Sequence, residues 1–202
     1  MSSRLRLAAF LSLFVIGGCA TKRPTHSAGP VESVFPPGTF SPFLTQWYSK
    51  QLRGLGEGLL QLDGAETYRF TWLRSFHHPI LIRVVRDRPG ATLVVREADG
   101  AGGYEPGQVI VSRTERLSED QWNRLMREPG MSEQWASPVE EKDVRGCDGA
   151  EWILEGVRDG RYHAMTWWSP IDDRSPELIR FKRACMKMLD LADIHVTGDD
   201  FY

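Results

Sequence analysis

The stretch WILEGVRDGRYHAMTW, residues 152–167, predicts the geometry of the sheet more closely than any other part of the chain. At its centre, Asp159-Gly160 is a pair that suits the two-residue type I′ turn of a β-hairpin. That turn sets the register of strands 152–157 and 162–167. The residues that it pairs are Arg158 with Arg161, Val157 with Tyr162, Gly156 with His163, Glu155 with Ala164 and Leu154 with Met165.

This register divides the hairpin into two faces, because successive strand residues point to opposite sides. The first face carries Trp152, Leu154, His163, Met165 and Trp167, and we interpret it as core. The second carries Glu151, Ile153, Glu155, Val157, Tyr162, Ala164, Thr166 and Trp168. We interpret it as a solvated strand surface, with a polar groove shaped by Glu155 and Tyr162 as the alternative. His163 lies opposite Gly156, which would leave room for its ring. We expect a neutral, hydrogen-bonded core histidine there, with a catalytic base as the alternative.

Four further strands and three helices follow from local pattern. Strands are predicted around residues 68–72, where large apolar and polar residues alternate, and at 80–85, 93–95 and 109–111. Helices are predicted over residues 42–53, from Ser118 to a stop at Pro129-Gly130, and from Ser175-Pro176 onward. Strands grouped without βαβ alternation favour an α+β fold. We expect an antiparallel sheet of about six strands, a four-strand meander plus the hairpin, with about three helices mainly on one face.

Composition excludes several classes of protein. The 202 residues are 41% hydrophobic and 26% charged, as in an ordinary folded domain, and the formal net charge is -2. A chain without excess positive charge has no general field to attract a polyanion, so we predict no nucleic-acid partner.

The first residues resemble a secretion signal. Arg4 and Arg6 precede a mostly apolar run over residues 7–16, far too short to span a bilayer. The run ends in Ile16-Gly17-Gly18-Cys19, which resembles the lipobox of bacterial lipoproteins. The resemblance implies cleavage before Cys19 and acylation of that cysteine, for example with palmitate. An uncleaved N-terminal helix with a chance cysteine is the alternative.

These features predict the organisation of the chain and its location. Residues 1–18 form the signal peptide, 19–40 a proline-rich flexible tether, 41–195 one globular domain and 196–202 a C-terminal tail. The residue after Cys19 is Ala20, not the aspartate that retains lipoproteins at the inner membrane in enteric bacteria. We therefore expect a lipid anchor in the outer membrane, with the domain facing the periplasm.

Cysteine usage agrees with this interpretation. The chain has three cysteines, so acylation of Cys19 leaves Cys147 and Cys185 as an even pair in an oxidising compartment. A disulfide between them is the simplest prediction, and two buried free thiols are the alternative.

Other motifs give weak candidates for binding or catalysis. His77 and His78 are adjacent, and no further ligand lies at zinc-site spacing, so we predict no metal and no cofactor. The glycine-rich residues 99–107 are interpreted as a turn loop, since no helix follows to receive a phosphate. Tyr104 in that loop and Trp168 are the binding candidates.

Three stretches resemble a family of small uncharacterised exported bacterial lipoproteins. They are residues 69–77 (RFTWLRSFH), 99–107 (DGAGGYEPG) and 148–156 (DGAEWILEG), the last followed by Tyr162-His163 and Trp168-Ser169-Pro170. The resemblance implies an exported α+β domain and identifies no reaction.

Two functions follow as hypotheses. The first is a non-catalytic envelope lipoprotein that binds a protein partner or a cell-wall ligand through the second hairpin face and the glycine-rich loop. It is favoured because no nucleophile with a base is evident and aromatic residues are abundant. The alternative is a hydrolase or transferase with His163 as general base, assisted by Tyr162, Glu155 or His77.

Overall fold

The computed structural model describes residues 31–132, 148–170 and 175–196. They form an α+β domain with one open, six-stranded antiparallel sheet, which confirms the predicted fold class. The elements in chain order are α1 (Pro42–Gly54), β1 (Thr67–Arg74), β2 (Ile80–Arg86), β3 (Ala91–Ala98), β4 (Val109–Leu117), α2 (Glu119–Met126), α3 (Pro129–Ser132), β5 (Ala150–Arg158), β6 (Arg161–Trp168) and α4 (Pro176–Leu191).

The strands lie in the order β4-β3-β2-β1-β5-β6. The predicted hairpin register is confirmed, with Arg158 opposite Arg161 and Gly156 opposite His163. Asp159 and Gly160 both have positive φ, at 51° and 71°, as a type I′ turn requires. The hairpin joins the meander through β1, where Arg69 pairs with Glu155.

One face of the sheet packs on α2, α3 and α4, and we call it the α4 face. Its centre is aromatic: the Trp152 ring lies 5.2 Å from that of Phe70 and 5.4 Å from that of Trp72, between centroids. From α4, Phe181 packs on Trp167 at 5.5 Å, and Cys185 is buried in the same core. The predicted apolar side of the last helix therefore points inward.

The other face, which we call the α1 face, is covered as well. Leu44, Tyr48 and Leu52 of α1 form a second core with β-sheet residues that include Leu73 and Ile153. The interpretation of this face as a solvated surface is wrong. Because α1 packs on the opposite side of the sheet from the other helices, Glu151, Glu155 and Thr166 become buried.

Packing on the α1 face begins before α1. Val34, Phe35 and Phe40, within the segment predicted as tether, are buried in the second core. The rings of Phe35, Phe40 and Tyr48 pack edge to face on one another.

The predicted helix starts are confirmed, and α2 ends at Met126, just before the predicted stop. Ser118 and Gln121 form the reciprocal capping box of α2, and Ser175 accepts a hydrogen bond from the Leu178 amide at the start of α4. Pro129-Gly130 does not merely end α2 but begins the one-turn α3, since proline is tolerated at the first helical position. A side chain at Gly130 would collide with the carbonyl oxygen of Arg180, so glycine lets α3 approach α4.

Strand β4 forms one edge of the sheet and is exposed over most of its length. Its side chains carry charge toward solvent, where Arg113 pairs with Glu115 and Arg116 with Asp87. Val109 and Ile110 at its start are exposed too.

Candidate functional site

The structure does not bring the predicted catalytic residues together. His163 lies on the α4 face and is 5% exposed, while Glu155 and Tyr162 lie on the α1 face, on the far side of the sheet. His77 is exposed in the loop after β1. The β1 residue aligned with His163 is Tyr68. From Tyr68, β1 continues for about 20 Å to Arg74 before the loop with His77 begins.

His163 sits in an apolar setting. Burial lowers the pKa of its imidazole, so the ring is neutral near pH 7. The space opposite it is not empty: a Cβ on Gly156 would lie 2.9 Å from the ring of Tyr68, so the glycine accommodates that tyrosine from β1 rather than the imidazole.

The titration of His163 therefore links pH to the free energy of unfolding. In the unfolded chain His163 binds a proton below about pH 6.5, whereas the folded chain resists it until lower pH. The free energy of unfolding should fall as the pH drops below 6.5, by at most about 1.4 kcal/mol per pH unit from this one proton. His163→Gln should flatten the fall, measured by urea denaturation between neutral and acidic pH. The exposed His195, replaced by Gln, serves as the control and should leave the slope unchanged; equal slopes for H163Q and wild type would contradict the assignment.

Glu155 and Tyr162 belong instead to a buried charge cluster that the sequence did not reveal. Arg69 donates to both carboxylate oxygens of Glu155, from Nε at 2.9 Å and from Nη2 at 3.0 Å, and both side chains are fully buried. The Tyr162 hydroxyl donates to Glu155 Oε1 at 2.7 Å. A third group, Glu57, accepts from Arg69 Nη1 at 3.3 Å.

The electrostatics of this cluster favour a structural role. Burial would lower the pKa of Arg69, but Glu155 and Glu57 outweigh it and raise that pKa. Burial and the charge of Glu155 raise the pKa of Tyr162 well above its ordinary range, so its hydroxyl stays protonated. Both oxygens of Glu155 already accept hydrogen bonds, which leaves this carboxylate poorly placed to act as a base.

The glycine-rich loop, residues 99–107, folds back on itself. The amides of Gly100, Ala101 and Tyr104 donate within the loop, and that of Gly102 donates to the His77 carbonyl at 3.1 Å. Because these N–H groups are occupied by carbonyls, the loop is a turn and not a phosphate cradle. A Cβ on Gly102 would lie 2.7 Å from the backbone nitrogen of Arg74, so glycine allows the loop to lie directly on β1.

This loop brings the two predicted binding residues together. Tyr104 and Trp168 line one pocket of about 170 Å³, with Trp47, Leu73, Ser75 and Gly103. Gln51 of α1 donates from Nε2 to the Tyr104 carbonyl at 3.0 Å and ties the loop to the helix. Trp47 was not predicted as a site residue, because only the fold places α1 beside the loop.

Exposed aromatic rings surround the pocket. The ring of Phe76 lies 6.2 Å from that of Tyr104, and the two residues are 56% and 62% exposed. Phe43, 72% exposed, precedes Trp47 by four residues and so shares its face of α1. We call this surface the aromatic patch, defined by Phe43, Trp47, Phe76, Tyr104 and Trp168.

The predicted lipidation and disulfide sites lie mostly outside the described residues. This applies to Cys19 and Cys147, so acylation and the pairing stay predictions. Cys185 is fully buried on α4, and burial raises the pKa of its thiol well above the ordinary value. Such a thiol is a poor nucleophile.

The described parts of the chain contain neither a metal-binding cluster nor a membrane-spanning helix. Within residues 31–132, 148–170 and 175–196, no group of three or more His, Cys, Asp or Glu side chains could hold a metal ion. In the same ranges no helix has the length and apolar character needed to cross a bilayer.

No family model matches the chain, and no curated protein matches it either.

Proposed function

We propose that the chain is a lipid-anchored envelope protein whose domain is a non-catalytic binding module for a protein partner. The observation that carries the binding function is the aromatic patch around the pocket of Trp47, Tyr104 and Trp168.

The exposure of the patch favours a binding surface. Large apolar side chains that are grouped and open to solvent mark interaction sites, whereas isolated ones do not. Trp and Tyr are the residue types that contribute most binding energy at protein interfaces. Phe43, Phe76 and Tyr104 are each more than half exposed. Tyr104 lines the pocket, the ring of Phe76 lies beside that of Tyr104, and Phe43 lies one helical turn from Trp47.

The size and lining of the pocket favour a protein segment over a glycan. At about 170 Å³ it is smaller than the roughly 300–1,000 Å³ of sites that enclose a whole small ligand. It suits one side chain of an extended partner. Its lining is part apolar, from the rings and Leu73, and part polar, with hydroxyls on Ser75 and Tyr104. A peptide matches both parts, since a side chain can bury apolar surface while its backbone forms hydrogen bonds beside it.

The alternative function, a hydrolase or transferase with His163 as general base, has no support from the geometry. Its proposed assistants Tyr162 and Glu155 face the other side of the sheet and are engaged by Arg69. The binding function needs no cofactor.

The location is part of the proposal and rests on the sequence. The lipobox-like residues 16–19 would place acyl chains on Cys19 in the outer membrane, and the residues that follow would connect them to the domain. A module anchored in this way would contact a partner in the periplasm or at the inner membrane surface.

Site-specific photo-crosslinking tests the binding surface. A photoreactive phenylalanine derivative in place of Tyr104 should give one discrete protein adduct in intact cells. The same derivative in place of Leu62, which is also exposed but lies outside the patch, is the matched control and should give none. Trp47→Ala in the Tyr104-labelled protein should reduce the adduct about tenfold or more, as expected for an interface tryptophan.

The nature of the adduct decides between partners. An adduct that muramidase leaves intact, and whose proteolytic peptides include those of a second polypeptide, supports a protein partner. An adduct that muramidase removes assigns the patch to cell-wall glycan and overturns the proposal, as does equal labelling from positions 104 and 62. Thermal melts of each variant should match wild type.

A further inference from the structure

A second cleft lies on the α1 face, away from the aromatic patch. Residues 56–65 cross the sheet between α1 and β1 and leave a cleft of about 390 Å³ against β2 and β3. Arg83 of β2 and Arg96 of β3 project into its wall, and Leu59, Leu60 and Val85 provide apolar surface. This volume lies within the range of small-molecule sites.

The charges around this cleft do not balance. Glu57 accepts hydrogen bonds from Arg69 Nη1 and from Arg83 Nε, both at 3.3 Å, and its carboxylate lies 3.4 Å from Arg96 Nη1. With Glu155, the cluster has two carboxylates for three guanidinium groups, an excess of one positive charge. Asp63, the other acid of the crossing segment, is exposed and does not line the cleft.

The two arginines keep donors available for a ligand. Among the described residues, Arg83 makes hydrogen bonds only through Nε, so both of its Nη groups are uncommitted. Arg96 uses only Nη1, which donates to the carbonyls of Leu55 at 2.8 Å and Gly56 at 2.6 Å. Their side chains are 25% and 23% exposed, so each guanidinium is held in place and still reaches solvent.

We propose that this cleft binds a small organic anion through Arg83 and Arg96. The ligand carries a phosphate or carboxylate group, which supplies the missing negative charge, and an apolar part that packs on Leu59, Leu60 and Val85. Guanidinium groups suit both anions because they donate two parallel hydrogen bonds. Fixing the arginines through Glu57 and the backbone before the ligand arrives lowers the entropy cost of binding.

A titration followed by NMR tests the cleft. The full-length protein, purified in detergent and ¹⁵N-labelled, is titrated with phenyl phosphate, with phenylacetate and with neutral benzyl alcohol. We expect at least one anion to shift the amides of residues 56–65, Arg83 and Arg96, and benzyl alcohol to bind about tenfold or more weakly. The stronger of the two anions identifies the preferred group. No shifts at millimolar concentrations of either anion, or equal binding of benzyl alcohol, would overturn the proposal.

Matched variants connect the binding to one side chain. Arg83→Gln should weaken anion binding about tenfold or more, because a charge-assisted hydrogen bond is lost. Arg124→Gln removes the same charge from an exposed position on α2 and should bind as wild type. Arg83→Lys keeps the charge but loses the planar guanidinium group. Its affinity for the anion should lie between those of R83Q and R124Q. Unchanged affinity in R83Q, or equal losses in R83Q and R124Q, would assign the shifts to a general charge effect and contradict the site.

Discussion

Replacing Arg69 with methionine should lower the free energy of unfolding by about 3–5 kcal/mol, the cost of leaving a buried charge without its partner. The guanidinium is fully buried and satisfies both oxygens of Glu155, one oxygen of Glu57 and the carbonyl of Gly58. Methionine fills similar volume and donates nothing, so among the described residues the Tyr162 hydroxyl is the one hydrogen-bond donor that Glu155 keeps. Urea denaturation followed by circular dichroism measures the loss.

The double variant Arg69→Met/Glu155→Met separates the contribution of the ion pair to stability from that of side-chain packing. Removing both charges together should recover part of the stability, because a buried pair replaced by apolar groups costs far less than a broken one. Arg124→Met, at an exposed site, should change the free energy of unfolding by less than about 1 kcal/mol. An R69M loss no larger than that of R124M would show that the cluster does not stabilise the fold.

Cys19→Ala should move the protein from the membrane fraction to the soluble fraction and abolish incorporation of labelled fatty acid. Several acyl chains on one cysteine hold a protein far more firmly than a single chain, whose binding is marginal and reversible. Cell fractionation with labelled palmitate measures both effects.

Cys147→Ala is the matched control for this experiment. It also removes one thiol but leaves the lipobox-like residues 16–19 intact, so the protein should stay at the membrane and keep its label. An intact mass of the wild-type protein that still includes residues 1–18, or a C19A variant that stays labelled, would be incompatible with acylation at Cys19.

The sheet was predictable where local chemistry fixes it. Asp159-Gly160 allows the positive φ values of the turn, and the alternation around it assigns every residue of the hairpin to a face. Capping residues such as Ser118 are visible in the same way, since they act on amides two or three positions away.

The burial of the second face was not predictable by such rules. Charged residues such as Arg69 and Glu155 are ordinarily exposed. No local pattern shows that these two lie opposite each other on the neighbouring strands β1 and β5. The side of the sheet on which α1 packs depends on tertiary contacts, for example those of Tyr48 and Leu52. Periodicity within the helix does not contain that information.

The candidate site was predicted only in part, because it too depends on tertiary contacts. Tyr104 was predicted as a binding residue in the glycine-rich loop and Trp168 as one on the second hairpin face, and the fold brings them to one pocket. Trp47 and Arg83 escaped notice because their role depends on neighbours distant in sequence: the loop that holds Tyr104 in one case, Glu57 in the other.

The exposed edge strand β4 bears on how the molecule behaves at high concentration. An unpaired edge is a template for a strand from another chain, and alternating charges discourage such pairing. Arg113, Glu115 and Arg116 would have to give up part of their hydration if two copies met edge to edge. The domain should consequently resist fibre-like assembly along this side, even when tethering to a surface crowds many copies together.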